Sequence, residues 1–172
     1  LHSNSISDDP SRLIRCAKYA SRLNFNISNN SLKQSQETVR KWPWKSSETN
    51  QKTIYPPALG IRIRMELAEI YKHDSLNNVI SIIDKWEIIS ILNQNIKVNK
   101  RFLRGLNWIK KLNGNYMLYL LKDAEDLETA CQRFLVNNGE KKILEDYSNI
   151  KKILKTNQKK FIHFSPSNWT EF

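Results

Sequence analysis

The feature that most constrains this chain is an acid-proline start followed by an amphipathic run, in residues 8–25. Asp9 is a good N-cap residue, and Pro10 suits the first helical position, so the pair predicts a helix start. Asn24 tolerates the left-handed conformation that ends a helix, and we expect Phe25 to fold back on the last turn. The face predicted to pack holds Leu13, Cys16, Ala17 and Ala20, and the opposite face holds Arg12, Arg15, Tyr19 and Arg22.

Helical spacing of apolar residues recurs along the chain and predicts an all-α fold. The chain of 172 residues has only four glycines and five prolines, which is few for a loop-rich protein. The further predicted helices cover residues 31–42, a helix opened by Pro56 and Pro57, two short helices in 76–95, then 97–113, 116–122, 126–136 and 140–155. The helix after Pro57 should bury a stripe of Leu59, Ile63, Leu67 and Ile70, and the last helix should turn Ile143 and Leu144 inward, with Tyr147, Ile150 and Leu154. The linker of residues 42–55 has no periodicity; its Trp42 and Trp44 either anchor a surface loop or stack on bases.

Charge and cysteine content limit the partners and the compartment. A formal charge of +11 indicates an anionic partner, with nucleic acid first and a membrane surface second. No apolar run approaches the roughly 20 residues of a membrane span. Cys16 and Cys131 form no disulfide framework, and three histidines form no zinc pattern. We expect a cytoplasmic protein, with Cys131 a small core residue.

Basic residues concentrate in two of the predicted helices. In the first, cations surround Phe102, Leu103, Leu106 and Ile109, with Trp108 among them. These cations are Lys97, Lys100, Arg101, Arg104, Lys110 and Lys111; the last helix adds Lys151 and Lys152 among others. The pattern fits a groove for a phosphate backbone, and it equally fits an ordinary solvated face.

Residues 8–25 resemble the neck segment of the class II tRNA nucleotidyltransferases and bacterial poly(A) polymerases. That pattern runs acid-Asp-Pro-x-Arg, two apolar residues, Arg, and small and aromatic residues up to Leu-x-Phe. The matching residues are Asp8, Asp9, Pro10, Arg12, Arg15, Ala17, Tyr19, Ala20, Arg22, Leu23 and Phe25, with Asn24 where the family usually has Gly. The resemblance implies that Asp9 and Arg12 pair with the base edge of incoming CTP or ATP, supported by Asp8, with Arg15 also in the nucleotide site.

Residues 61–67 are similar to a later neck motif of the same family. Arg62 and Glu66 take the places of residues that brace the template helix, although Ile61 stands where an acid commonly precedes the Arg. Without the resemblance, Arg62 and Glu66 would be read as a surface i, i+4 ion pair worth about 0.3–0.5 kcal/mol.

The sequence lacks the chemistry of nucleotidyl transfer itself. That reaction needs two metal-binding carboxylates and a small-residue phosphate loop, and neither pattern occurs. The resemblance therefore implies a neck domain in residues 1–95 and an RNA-binding body in residues 96–172, which would hold a tRNA acceptor stem. We expect a catalytic head, which would bind Mg²⁺, to precede Leu1 in the intact enzyme. This chain would then be a fragment, inactive alone and binding no cofactor of its own.

A second hypothesis belongs to a different class of protein. The chain would be a non-catalytic basic helical module that binds RNA or an acidic protein and does not recognise nucleotides. Both hypotheses predict salt-dependent binding to RNA, because any basic helical protein would show it. Base preference separates them.

Overall fold

A computed structural model describes residues 6, 9–41, 57–73 and 75–156, which form helices joined by loops, with no strand among them. The all-α prediction is confirmed for this part of the chain. The α-helices are α1 (Ser11–Leu23), α2 (Asn29–Lys41), α3 (Pro57–His73), α4 (Leu76–Lys85), α5 (Lys100–Lys111), α6 (Tyr116–Leu121), α7 (Leu127–Arg133) and α8 (Asn138–Thr156). A 3-10 helix spans Ile88–Ile91 between α4 and α5. No helix in the described ranges is long and apolar enough to cross a membrane.

Helix α1 begins one residue later than the sequence predicts. Pro10 has helical backbone angles, φ −62° and ψ −17°, but the helix itself starts at Ser11. Asp9 still acts as a cap, because its Oδ1 accepts a hydrogen bond from the Ser11 amide at 3.1 Å. At the other end Asn24 adopts the predicted left-handed conformation, with φ 54°. The Phe25 amide donates back to the Ala20 carbonyl at 3.0 Å, so the chain folds back on the last turn as expected, while Phe25 stays 66% exposed.

Helix α1 packs on α3 and α4 and buries a wider face than its apolar spacing predicts. Leu13, Ala17 and Ala20 are buried as expected, whereas Cys16 is only half-buried. Ile14 and Lys18 are also buried, because α3 and α4 contact α1 from two sides. In α3 the predicted buried stripe is confirmed: Leu59, Ile63, Leu67 and Ile70 are each 5% exposed or less.

Residues 76–92 add aliphatic side chains to the core, with α4 packed on α1 and the 3-10 helix packed on α4. The predicted pair of short apolar helices is confirmed as α4 and the 3-10 helix, with Val79, Ile80 and Ile83 buried. The 3-10 helix in turn contacts α2, where Val39 is buried. These segments are too apolar to remain in water, so burying them stabilises the fold.

Helices α5 to α8 continue the same apolar core. Side chains of Asn99, Asn115 and Asp126 accept backbone hydrogen bonds at the starts of α5, α6 and α7. Asn113, with φ 53°, follows the end of α5, as the sequence predicts. Leu106, Met117, Leu120, Phe134 and Leu144 belong to one cluster with the buried residues of α1, α3 and α4. Cys131 is 3% exposed, which confirms it as a core residue.

One further sequence prediction is wrong, and others lie outside the described residues. Ile143 was expected to face inward from α8 but is 57% exposed, because only Leu144 of that turn reaches the core. The predictions for Asp8 and for the linker that contains Trp42 and Trp44 lie outside the described residues.

Candidate functional site

Asp9 lies at the junction of α1 and α3, where several donors converge on its carboxylate. Oδ1 accepts hydrogen bonds from the amide and the hydroxyl of Ser11. Oδ2 accepts from Arg62 Nη1 of α3 at 3.0 Å, and Arg12 Nε lies 4.0 Å from the same oxygen. The start of α1 is thereby tied to α3 through a single carboxylate.

Arg12 and Arg62 flank this carboxylate from the solvent side. The side chains of Arg12 and Arg62 are 47% and 56% exposed, while that of Asp9 is 15% exposed. An ionised carboxylate offers about four lone-pair positions. Among the described residues, three donors within 3.1 Å bond to Asp9, two to Oδ1 and one to Oδ2, and the exposed Arg12 lies next to Oδ2. A nucleobase edge with an exocyclic amine beside a ring acceptor matches that pairing of acceptor and donor.

Glu66 makes a second connection between α3 and α1, one turn further along. Arg15 Nε donates to Glu66 Oε1 at 2.6 Å, and Arg15 Nη2 lies 2.6 Å from the same oxygen. Lys18 Nζ donates to Oε2 at 2.9 Å, and the Lys18 and Glu66 side chains are each 10% exposed. Burial alone would raise the pKa of Glu66, but the hydrogen bonds from Lys18 and Arg15 outweigh it and lower that pKa. The hydrogen bond to Glu66 raises the pKa of Arg15.

The i, i+4 ion pair between Arg62 and Glu66 is not formed among the described contacts. Each side chain instead pairs with α1: Arg62 with Asp9, and Glu66 with Arg15 and Lys18. The reason is that both residues lie on the side of α3 that faces α1, where oppositely charged partners are closer than the next turn of α3. Lys18 was missed by the sequence analysis, since a lysine beside apolar positions gives no signal until the acid opposite it is known.

The predicted RNA-binding residues separate into two groups. Lys97, Lys100, Arg101, Arg104 and Lys111 are exposed and make no ion pair with the residues that the structure describes, whereas Lys110 is half-buried with its Nζ 5.8 Å from the Tyr71 ring. On α8, Lys152 is exposed, but Lys151 pairs with Asp123. Among the described residues nothing therefore compensates the charge on α5, whereas part of the charge on α8 is neutralised.

Comparison with known proteins adds no relative. No protein-family model, curated protein or solved structure matches this chain. Over the described ranges, no group of three or more His, Cys, Asp and Glu side chains is arranged to hold a metal ion.

Proposed function

We propose that this chain is the neck and body of a protein of the tRNA nucleotidyltransferase and poly(A) polymerase family. In the intact enzyme a catalytic head, with Mg²⁺, would transfer CMP or AMP from CTP or ATP to an RNA 3′ end. Asp9 and Arg12 would select the base, with Asp8 as the supporting acid. The cations of α5 and α8 would contact the RNA, with the tRNA acceptor stem as the expected partner.

The observation that carries this proposal is the double connection between α1 and α3. Arg62 holds Asp9 at 3.0 Å, and Glu66 holds Arg15 at 2.6 Å. An acid that reads a base must be fixed in direction, because hydrogen-bond strength falls steeply with angle. The contacts of Arg62 and Glu66 fix the first turns of α1 in that way, and Arg12 remains exposed beside the fixed carboxylate.

A nucleotide titration of the chain tests this function. CTP, ATP, UTP and GTP are each titrated into the chain by calorimetry, and we expect CTP and ATP to bind at least about tenfold more tightly than the other two. Arg12→Ala and Asp9→Ala should remove that preference. Arg12 is the sharper position, because Asp9 also caps α1 and its loss weakens the helix.

The matched control is Arg40→Ala on α2. Arg40 is also an exposed arginine, paired with Glu87 at 3.2 Å, so this variant removes the same charge away from α1 and α3. Arg40→Ala should keep the base preference. Equal binding of all four nucleotides by the unmodified chain, or the same loss from Arg40→Ala as from Arg12→Ala, would overturn the proposal.

The absence of transfer by this chain alone is tested separately. The chain is mixed with CTP, ATP, magnesium and tRNA that lacks its terminal A. We expect no incorporation, because the sequence supplies neither the metal-binding carboxylates nor the phosphate loop. Measurable incorporation would show that the head is not required.

The second candidate is a non-catalytic helical module that binds RNA or an acidic protein. The favouring observation is that Asp9 already bonds to Ser11 and Arg62, which suffices for a purely structural cap and ion pair. Under this alternative, Arg12→Ala leaves nucleotide titrations unchanged, since there is no base preference to lose.

A further inference from the structure

One exposed surface is not explained by the nucleotide site: the outer face of α5. Its exposed side chains include Lys100, Arg101, Arg104, Trp108 and Lys111, which recur at spacings of three and four and so share one side of the helix. We call these five residues the α5 outer face. The helix contains no acidic residue, and the four cations make no ion pair with the part of the chain that the structure describes.

Trp108 is the unusual member of the α5 outer face. Its side chain is 58% exposed, although indoles are mostly buried in folded proteins. Lys111 Nζ lies 5.1 Å from the ring centroid, and Arg104 lies one turn before Trp108 on the same side. The indole is therefore largely exposed to solvent, with Lys111 over one of its faces and Arg104 one turn away.

The opposite side of α5 packs against the rest of the protein and so fixes the orientation of the helix. Leu106 is 1% exposed, and Phe102 and Leu103 pack partly into the core. Tyr119 donates a hydrogen bond to the Phe102 carbonyl at 3.0 Å, and a Cβ on Gly105 would lie 2.1 Å from the Tyr119 hydroxyl oxygen. Helix α5 is thus seated closely on α6, so its outer face is held in one orientation.

We propose that the α5 outer face binds a single-stranded segment of nucleic acid, with the Trp108 indole as a platform on which an unpaired base stacks. Cations along about 18 Å of helix suit a phosphate backbone, and an exposed aromatic ring between them suits a base. A duplex offers the phosphates but no unstacked base. The inference rests on the RNA-contact part of the proposed function and narrows it, at α5, to an unpaired segment such as an RNA 3′ end rather than the paired part of an acceptor stem. It does not depend on base selection by Asp9 and Arg12.

An anionic membrane surface is the competing occupant. Membrane-surface helices bury a broad apolar face in the lipid. Beyond Trp108, α5 and its cap expose only Leu112 as a large apolar residue, since Phe102, Leu103 and Leu106 pack inward. The positive charge of the α5 outer face suits both nucleic acid and an anionic membrane. Its small exposed apolar area suits a stacked base but is too small for a helix inserted in lipid.

Binding of the full chain to labelled RNA tests the inference by fluorescence anisotropy at fixed salt. The probes are oligouridine of about 16 nucleotides and a duplex RNA of the same length. Trp108→Ala should weaken binding of the single strand about 5- to 150-fold, and Trp108→Phe should retain most of the affinity because it keeps an aromatic ring. Duplex binding should change less than about twofold in both variants. Unchanged single-strand binding by Trp108→Ala, or an equal loss with duplex, overturns the inference.

A charge-matched pair of double variants tests the cations. Arg104→Gln with Lys111→Gln removes two charges from the α5 outer face, and Lys33→Gln with Lys85→Gln removes two exposed charges from α2 and α4. The first variant should weaken binding of the single strand. It should also make that binding less dependent on salt concentration, by at most the contribution of about two phosphate contacts. The second should change either much less. Equal losses of affinity in the two double variants would mean that net charge alone governs binding, and would refute the α5 outer face as the binding surface.

Two more measurements separate this surface from the alternatives. Vesicles of phosphatidylserine and phosphatidylcholine should bind equally to the unmodified chain and to Trp108→Ala; a vesicle interaction lost in Trp108→Ala with RNA binding intact would assign the face to a membrane instead. Arg12→Ala should leave oligouridine binding unchanged, and Trp108→Ala should leave any preference for CTP and ATP unchanged. Failure at one surface is therefore distinguishable from failure at the other.

Discussion

Lys18 Nζ of α1 lies 2.9 Å from Glu66 Oε2 of α3, and both side chains are almost fully removed from water. Arg15 shares the same carboxylate through its other oxygen. A buried acid with two bonded cations fixes the rotation of α1 against α3, since any slip would leave a charge without its partner in a poorly solvated position. This contact determines which residues of α1 face solvent, Arg12 included.

Glu66→Gln should destabilise the protein at neutral pH. The substitution leaves the buried Lys18 ammonium with a neutral partner, and we expect a loss of about 1.5–3 kcal/mol in the free energy of unfolding by urea denaturation. Adding Lys18→Met should cost less than the sum of the two single changes, because the unpaired charge is then absent. Additive losses would show that Lys18 and Glu66 do not interact.

The same carboxylate predicts an acid-dependent stability. The pKa of Glu66 is lower in the folded protein than its ordinary value of 4.5, so the unfolded chain takes up the proton first as the pH falls. The stabilisation is complete above that value and is lost as the pH falls through the lower, folded-state pKa. Urea midpoints measured between about pH 6 and 3 should fall less steeply in Glu66→Gln than in the unmodified protein. Parallel curves would contradict the prediction.

Arg62→Ala should have little effect on stability. The Arg62 side chain is 56% exposed, and exposed ion pairs contribute only about 0–1 kcal/mol. Its effect should instead fall on the direction of Asp9 and therefore on nucleotide preference. Arg40→Ala, which breaks the exposed pair with Glu87, is the stability control and should show a similarly small change. A loss several times larger in Arg62→Ala would make Arg62 a structural residue.

Gly60→Ala should be among the most damaging single substitutions. A Cβ at this position would lie 1.9 Å from the Arg133 carbonyl oxygen, and backbone cannot rotate away as a side chain can. Overpacking of this kind costs about 1–3 kcal/mol or more, which thermal unfolding would detect. Gly139→Ala is the matched control, because its Cβ meets only the Asn137 side chain at 3.3 Å. Equal melting temperatures for the two variants would refute the close approach of α3 to residue 133.

Two neighbouring residues of α8 should differ strongly in how much stability is lost when each is truncated to alanine. Leu144 is 2% exposed, and Leu144→Ala should cost about 2–5 kcal/mol. Ile143 is 57% exposed, so Ile143→Ala should change the unfolding free energy by no more than about 0.5 kcal/mol. Chemical denaturation of both variants checks the rotation of α8. A larger loss from Ile143→Ala would mean that α8 turns its other side to the core.

Local sequence patterns were sufficient for the helices, and for their ends to within about three residues. The Asp9 and Pro10 start, the left-handed Asn24 and the buried stripe of α3 each depend on residues within one or two turns. Propensity, capping and periodicity act at that range, so one sequence suffices to predict them. The charge of the α5 outer face was equally visible, although its exposure was not.

The partners of the charged residues depended on the tertiary structure. Arg62 and Glu66 stand four residues apart, and spacing alone favoured a bond between them, yet both reach across to α1. Ion pairs form with whichever opposite charge the packing of apolar faces brings nearest, and Lys18 meets Glu66 across 48 positions of sequence. The sequence by itself determined the helices and their charge; the docking of α1 on α3 decided which carboxylate is buried and which stays accessible, because burial and pairing arise only between segments.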